Sequence, residues 1–265
     1  MTYIEDYMDI DMAYLTGLII ARGILQNAPL RQIVIQFPYV SMTAKGISVE
    51  YDQETSIQVG LSEIRERIAE LVDTDIKIVK KEHCVDLVIT FTRNSMIWRN
   101  ILLITNSATH FSHFTVPEIF FNPNIPIDWK KEFIKGFGDA AGNIRSSNNY
   151  MNLLHRVRLD VLNYNSNWEL PVKICLLLQE QIGVPVQNIM WGHPNLGRAF
   201  REHMINIFAD DYVQIGFSFS HKQLILEEMG YAPDYGAYYI LWFGSPSWLF
   251  LIRDFTSTGS TATAC

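Results

Sequence analysis

The chain has little cysteine and no long apolar run. Its three cysteines, Cys84, Cys175 and Cys265, are an odd number at wide spacing, which argues against a disulfide framework and for a reducing compartment. No stretch approaches the roughly 20 uninterrupted apolar residues that a membrane span needs. The acidic start, residues 1–11, also differs from the basic region that opens a signal peptide. These absences predict a cytoplasmic protein that does not enter a membrane.

Net positive charge is lacking as well. The formal net charge is −7, which disfavours indiscriminate nucleic-acid binding because contacts to phosphates supply most of that affinity. A local basic face remains compatible with this balance, since the placement of the charges decides whether a protein binds in a DNA groove. With 265 residues, of which 48% are hydrophobic, the chain can build an ample core in one large domain or two small ones.

The first half of the chain alternates helical and strand patterns in the order αββαββα. Apolar residues three and four apart predict the helices, and runs of β-branched and aromatic residues predict the strands. In chain order these elements are expected at Met12–Leu25, at Arg31–Val40 with Ile47–Val59, from Leu61 onward, at 75–81 with 85–93, and at Met96–Ile104.

The same order is expected again from Asp128 onward, which predicts an internal repeat. The first elements are a helix over 129–142 capped by Asp128 and strands around Ile144 and at His155–Asn163. A helix follows that is opened by a capping box of Ser166 and Glu169 and ends at Gly183. The last elements are strands at 186–191 and 212–219 and a helix that is opened by Ser220 and Gln223 and closes at Gly230. The domains expected are a first repeat over 1–121, a second repeat over 122–232, and a C-terminal extension over 233–265 with an apolar segment, Tyr238–Ile252, and a flexible tail.

Two nine-residue segments stand at matching places in the two halves. Leu15–Gly23 reads LTGLIIARG and Ile134–Gly142 reads IKGFGDAAG, with matching glycines at Gly17 and Gly136. Each segment resembles the LAGLIDADG motif, and two copies at this spacing are typical of the single-chain, two-repeat members of that family of DNA-binding proteins and homing endonucleases. The resemblance covers residues 12–230.

The resemblance implies an α+β fold of two pseudo-symmetric αββαββα repeats with antiparallel saddle-shaped sheets. In the family the two motif helices pack together at the pseudo-twofold axis, and the sheets drape over the DNA major groove. Small residues four apart, Gly17 with Ala21 and Gly136 with Ala140, suit that close approach of two helices. The same spacing also occurs in buried helices of other kinds.

The residues at the family's catalytic positions have been replaced. A nuclease of this family holds divalent cations with one carboxylate at the end of each motif helix, and those positions are Arg22 and Ala141 here. Asp139 is an acid in the second motif, but it occupies the sixth position and not the eighth. The resemblance therefore implies no catalytic residue, no metal site and no cofactor. Mg²⁺ and Asp139 enter only if a rearranged active site or a partner subunit restores cleavage.

Polar residues on the predicted strands are the candidates for DNA contacts. Alternation at every second position separates Gln32 and Gln36, and likewise Arg156 and Arg158, from their apolar neighbours. Arginine and glutamine are the natural major-groove readers of guanine and adenine, and an ordinary solvated strand face is the alternative for each. Arg22 has two interpretations, a phosphate contact or an ion pair across the helix interface. The full set of DNA-binding candidates is Arg22, Gln32, Gln36, Lys77, Arg93, Arg145, Arg156 and Arg158.

The sequence leaves three functions open. The leading one is recognition of double-stranded DNA by a catalytically degenerate LAGLIDADG-like protein, as a regulator or as the specificity subunit of an assembly, with Tyr238–Ile252 as a surface for a protein partner. The alternative is a site-specific DNA endonuclease of the restriction or homing type. A third is an interaction protein that has kept the fold without DNA binding, to which the net charge of −7 lends weight.

Overall fold

The computed structural model describes residues 7–39, 53–72, 74–146, 155–162, 168–191, 202–219, 222–223 and 226–227. All of them belong to one unit of the chain, Met1–Pro233. Expectations that rest on other positions lie outside these residues, namely those for Ser166, Ser220, Gly230 and the segment Tyr238–Ile252. Within the described part of the chain, no helix is long and apolar enough to cross a membrane.

The first repeat has the expected order αββαββα among the residues described. Its elements are α1 (Ile10–Arg22), β1 (Gly23–Gln26), β2 (Arg31–Pro38), α2 (Gln53–Val72), β3 (Ile76–Lys80), β4 (Cys84–Phe91) and α3 (Met96–Ile104). The strands form one antiparallel sheet in the spatial order β1-β2-β4-β3.

The second repeat has the same order. Its elements are α4 (Ile127–Ala141), β5 (Gly142–Ser146), β6 (His155–Leu162), α5 (Glu169–Leu176, continued by a π-helical stretch over Leu177–Ile182), β7 (Asn188–Trp191), β8 (Glu202–Phe208) and the short α6 (Ala209–Tyr212). Its sheet, β5-β6-β8-β7, is antiparallel and has the strand order of the first sheet. The expected α+β fold of two matching repeats is therefore confirmed.

The first hairpin is made by other residues than expected. The motif helix ends at Arg22, and the chain turns at Gly23, whose extended backbone (φ −82°, ψ 144°) begins β1. Gly23 pairs with Ile35, so β1 is the partner of β2. The expected partner, Ile47–Val59, is wrong from Gln53 onward, because those residues continue the amphipathic helix α2 toward its N-terminus.

Two further local expectations are corrected in the second repeat. Asp128 lies inside the first turn of α4, because Pro126 is the N-cap and supplies no side-chain cap. The helix α5 begins at Glu169 with Trp168 as its N-cap, and the carboxylate of Glu169 accepts a hydrogen bond from the Thr115 hydroxyl (3.0 Å). The stretch 212–219 is not a strand: the last strand of the sheet is β8, and the chain turns at Gly216, where φ is 67°.

The two motif helices cross where their matching glycines meet. A β-carbon on Gly17 would lie 2.0 Å from the carbonyl oxygen of Phe133, and one on Gly136 would lie 2.2 Å from that of Tyr14. Ala21 and Ala140, one turn further along, are also buried. Because the symmetric positions contact each other, the two helices run side by side. The C-terminal end of each helix leads into the first strand of its own sheet.

Candidate nucleic-acid interface

Each sheet has one face packed on the helices and an opposite face, which we call the saddle face. Ile33, Ile35 and Phe37 of β2 are fully buried in the core, and so are Val157 and Leu159 of β6. Successive strand residues point to opposite faces, so the residues between these positions belong to the saddle face. Gln32, Gln36, Arg156 and Arg158 are in that set and are half-buried, which confirms the expected alternation along both strands.

Four rows of residues cross each saddle face, because strand partners in register stand side by side. The row beyond the inner one is the pair Pro38 and Cys84 in the first sheet and the pair Leu162 and Glu202 in the second. The inner row begins next to the end of the motif helix, and the middle and outer rows follow at every second residue. In the first sheet the other three rows are Gln36, Asp86 and Val79 (inner), Ile24, Val34, Val88 and Lys77 (middle), and Gln26, Gln32 and Thr90 (outer). In the second sheet they are Asp160, Met204 and Met190 (inner), Asn143, Arg158, Asn206 and Asn188 (middle), and Arg145, Arg156 and Phe208 (outer).

The remaining DNA-contact candidates differ in where they lie. Lys77 is exposed in the middle row of the first sheet and pairs with Asp75 at 3.4 Å. Arg93 lies past the end of β4 in an exposed turn, and its carbonyl oxygen accepts a hydrogen bond from Arg31. The expectation that Arg93 ends a strand is therefore wrong, whereas Arg145 lies on β5 opposite Arg156. The structure thus places three arginines in the rows of the second sheet and one lysine in those of the first.

Cations occupy the ends of both motif helices. Arg22, the last residue of α1, is 2% exposed and donates a hydrogen bond from Nη1 to the Ala21 carbonyl at 2.8 Å. At the end of α4, Ala141 is buried, and Lys222 donates from Nζ to the carbonyl oxygens of Gly138 (3.0 Å), Asp139 (2.6 Å) and Gly142 (2.8 Å). Helix C-terminal carbonyls attract such positive groups.

Burial opposes the charge on Lys222. Desolvation lowers the pKa of Lys222 to about 8, opposed by the attraction of Asp139 and Asp160 and assisted by repulsion from Arg22. Lys222 is therefore near enough to Arg22 to be repelled by it and near enough to Asp139 and Asp160 to be attracted by them, so the two motif-helix ends meet in one buried cluster of two basic and two acidic side chains. No pattern in the sequence marks Lys222, because the residues around it predict only the start of a helix.

Asp139 is a structural residue of the core. Its carboxylate accepts hydrogen bonds from the Tyr14 hydroxyl (2.7 Å) and from the backbone N–H groups of Ser218 and Phe219 (3.1 Å each). Burial raises the pKa of Asp139 to about 6, against the lowering effects of Lys222 and of these hydrogen bonds. A fully buried carboxylate with three internal donors is not placed to hold a metal ion beside DNA.

Two carboxylates outside the set of sequence candidates lie in the inner rows. Asp86 of β4 pairs with Lys81 at 2.5 Å. Asp160 of β6 accepts a hydrogen bond from Asn143 Nδ2 at 2.7 Å and pairs with Arg158, whose Nη2 donates to it at 3.3 Å and whose Nε lies 2.8 Å from Oδ1. Asp160 falls on the same alternate positions of its strand as Arg156, and Asp86 on the same ones as Thr90. This alternation is the signal in the sequence that both acids lie on the saddle face.

His110 and His113, three residues apart in the sequence, bond to the same serine. His110 and His113 both direct Nδ1 at the hydroxyl of Ser112, at 2.7 and 3.1 Å. His83 is exposed beside Glu82. Across the residues described, no group of three or more histidine, cysteine, aspartate or glutamate side chains is arranged to bind a metal ion.

No protein-family model matches the chain, and no curated protein matches it. Among solved structures, the chain is similar to the homing endonuclease I-DmoI in complex with DNA and Mn, with 19% identity, coverage of 81% of this chain and 96% of that chain, and a TM-score of 0.42. It is also similar to full-length DUF199/WhiA from Thermatoga maritima, with 12% identity, coverage of 83% and 58%, and a TM-score of 0.46. A third similarity is to the N-terminal LAGLIDADG domain of DUF199/WhiA, with 12% identity, coverage of 83% and 82%, and a TM-score of 0.41. Identities this low leave the site to be established from the residues of this chain.

Proposed function

We propose that this protein recognises double-stranded DNA through its two saddle faces and does not cleave it. The observation that carries the proposal is the placement of Arg156 and Arg158 on the saddle face of the second sheet, with Arg145 opposite Arg156. A two-stranded or larger antiparallel surface of this kind fits the major groove, where arginine reads guanine and glutamine reads adenine. The net charge of −7 does not oppose this, because the acidic excess need not lie on the face that meets DNA.

The ends of the motif helices support recognition without cleavage. Metal-assisted hydrolysis of a phosphodiester needs oxygen ligands that hold a divalent cation beside the scissile phosphate. Arg22 and Lys222 instead bring positive charge to both ends. Both side chains are buried and donate to backbone carbonyl oxygens at the helix ends, where their positive charge opposes the approach of a divalent cation. Asp86 and Asp160 are each already neutralised by a basic partner.

A protein with these properties works as a regulator, or as the specificity subunit of an assembly whose other members act on the bound DNA. Tyr238–Ile252 is the segment we assign to contact with a protein partner, on the strength of its apolar sequence. The endonuclease alternative would need Asp139 to leave its three hydrogen-bond donors, and no observation on the described residues favours that rearrangement.

The experiment that tests DNA binding by the saddle face compares two double variants. Affinity for a pool of random duplexes, measured by fluorescence anisotropy, should fall steeply as salt rises, since each neutralised phosphate releases counterions. Arg156→Ala with Arg158→Ala should weaken binding to the preferred duplexes by about 1 to 3 kcal/mol for each base-reading side chain that is removed. The matched control, Arg65→Ala with Arg99→Ala, removes the same charge from exposed positions on α2 and α3 and should change affinity little.

An equal decrease in affinity in both double variants would show that total charge, and not the saddle face, determines binding. Arg156→Ala alone guards against a folding defect, because Arg158 is the residue that pairs with Asp160, and removal of Arg158 leaves that acid without this partner. Unchanged affinity in the folded Arg156→Ala and double variants would refute the proposed interface.

A further inference from the structure

We infer that the two saddle faces read chemically different half-sites, an A·T-rich one under the first sheet and a guanine-containing one under the second. This inference rests on the proposed function and specifies its substrate further, by the base composition of each half-site. It follows from a comparison of the rows at matching positions of the two sheets, which the shared strand order makes equivalent.

The middle rows differ most. In the first sheet three of the four members, Ile24, Val34 and Val88, are adjacent and apolar, and Lys77 stands at the edge strand. Aliphatic side chains at such a position offer no hydrogen bond to a base edge and pack favourably against the C5-methyl group of thymine, the one apolar group that the major groove presents. A guanine or cytosine there would lose water from its donor or acceptor groups without replacement.

The equivalent middle row of the second sheet is polar throughout. Arg158 lies between Asn143 and Asn206, and Asn206 Nδ2 donates to Asn188 Oδ1 at 2.8 Å. Asp160 holds the guanidinium of Arg158 through Nε and Nη2, so that its remaining N–H groups are fixed in direction. An arginine held in this way is suited to the paired acceptors O6 and N7 of guanine.

The outer rows repeat the contrast. In the first sheet Gln26 and Gln32 stand side by side, and Gln32 Nε2 donates to Thr90 Oγ1 at 3.1 Å. In the second sheet the positions of the two glutamines are taken by Arg145 and Arg156. The guanidinium of Arg156 lies 6.0 Å from the centre of the Phe208 ring, close enough for a cation–π contact that restrains it. Glutamine pairs with the N6 and N7 groups of adenine, and arginine with guanine.

Charge follows the same division. Lys77 and Asp86 cancel in the rows of the first sheet, where every other member is neutral. The rows of the second sheet hold three arginine positions against two acidic positions, Asp160 and Glu202. The second sheet therefore contributes most of the electrostatic affinity, and the first contributes discrimination by shape and by the thymine methyl groups.

Selection of bound duplexes from a random pool, followed by sequencing, tests the inference. The full chain should enrich a non-palindromic site with A·T pairs in one half and fixed G·C pairs in the other. Two reciprocal variants at equivalent outer positions assign the halves. Arg156→Gln should reduce the preference for guanine at one position of the G·C half by roughly 5- to 150-fold and favour adenine there, and Gln32→Arg should introduce a guanine preference in the A·T half.

The outcomes separate the inference from the proposed function. A palindromic site, enrichment without the A·T and G·C division, or a Gln32→Arg effect in the same half as Arg156→Gln would overturn the inference while DNA binding stands. Failure of the wild-type chain to retain any duplex at low salt would instead refute the proposed function, and the inference with it. Circular dichroism of both variants, matched to the unmodified chain, confirms that each comparison is made on folded protein.

Discussion

The guanidinium of Arg67 lies 4.0 Å from the centre of the Tyr14 ring. This contact joins α2 to the motif helix of the same repeat, and the same guanidinium also reaches the second repeat. It pairs with Asp11 at 2.7 Å and with Glu132 of α4 at 2.9 Å, and Nη1 donates to Ser218 Oγ at 3.2 Å. Arg67 therefore links both repeats at the end of the helix pair away from the saddle faces.

Removal of Arg67 should destabilise the whole chain. Arg67→Ala deletes the stacking on Tyr14 and leaves Glu132, whose carboxylate is largely buried, without this partner. We expect the free energy of unfolding, measured by urea denaturation, to fall by about 1 to 3 kcal/mol. Arg67→Lys should recover little of it, since an ammonium cannot reproduce the planar fork. Arg65→Ala, at an exposed arginine on the same helix, is the matched control, and an equal fall there would contradict the role given to Arg67.

The glycines at the helix crossing should tolerate no side chain. Gly17→Ala would place a β-carbon 2.0 Å from the Phe133 carbonyl oxygen, so the two helices would have to separate. We expect the free energy of unfolding to fall by at least about 2 kcal/mol, and by a similar amount for Gly136→Ala.

The direction of the change in the free energy of unfolding distinguishes a helix crossing from an ordinary helical position. At an ordinary exposed helical position, alanine is more stable than glycine by roughly 0.5 to 1 kcal/mol. Ala69→Gly, on the exposed face of α2, should therefore destabilise the chain slightly, so that alanine is the better residue there and glycine is the better residue at the crossing. If Gly17→Ala is neutral or stabilising in thermal denaturation, the helices do not cross at this residue.

Stability should depend on pH through Asp139. Its pKa is raised from 3.8 to about 6 by burial, so between these values the folded chain retains a proton that the unfolded chain has lost. The free energy of unfolding must then fall as pH rises through this window. At about 1.4 kcal/mol per pKa unit, the fall attributable to Asp139 is roughly 3 kcal/mol. Asp139→Asn should remove this slope, and Asp128→Asn, at an exposed position, should keep it.

Lys222 produces the opposite slope at alkaline pH. Burial lowers its pKa from 10.5 to about 8, so above pH 8 the folded chain has released a proton that the unfolded chain still holds. The free energy of unfolding should therefore rise from about pH 8 toward pH 10.5, and Lys222→Met should flatten that rise. Urea denaturation at fixed pH values measures both windows. The burial of Asp139 and Lys222 would be contradicted if the free energy of unfolding were highest between pH 6 and 8 and if neither Asp139→Asn nor Lys222→Met changed its slope.

The repeat and its motif helices were predictable from the sequence because they depend on short-range signals. Two copies of the motif, Gly17 and Gly136 at matching places, and alternation around Arg156 each reflect a period that packing imposes. The saddle position of Arg156 followed from that alternation alone. The motif helices and the strands β2, β4 and β6 were predicted correctly on such periods, whereas the strands expected at Ile47–Val59 and 212–219 were not.

The errors arose where tertiary contacts decide the local structure. The four residues Gly23–Gln26 look like the end of an apolar helix, and they become a strand only because β2 lies alongside to pair with them. The strand signal of Glu202–Phe208 is too weak to compete with that of 212–219. No hydrophobic pattern predicts the position of Lys222, because three carbonyl oxygens that are distant in sequence hold it at the end of α4.

The central claim, recognition of DNA without cleavage, is tested most directly by one assay on the unmodified full chain. End-labelled duplexes carrying random sequence are incubated with the protein in magnesium, in manganese and in EDTA, and both retained and shortened DNA are measured on gels. We predict salt-sensitive retention in all three conditions and no shortened product, because Arg22 and Ala141 offer no ligand for the ion that hydrolysis requires. Shortened duplexes that appear with magnesium or manganese and are absent in EDTA would contradict the claim, as would the absence of retained DNA at low salt.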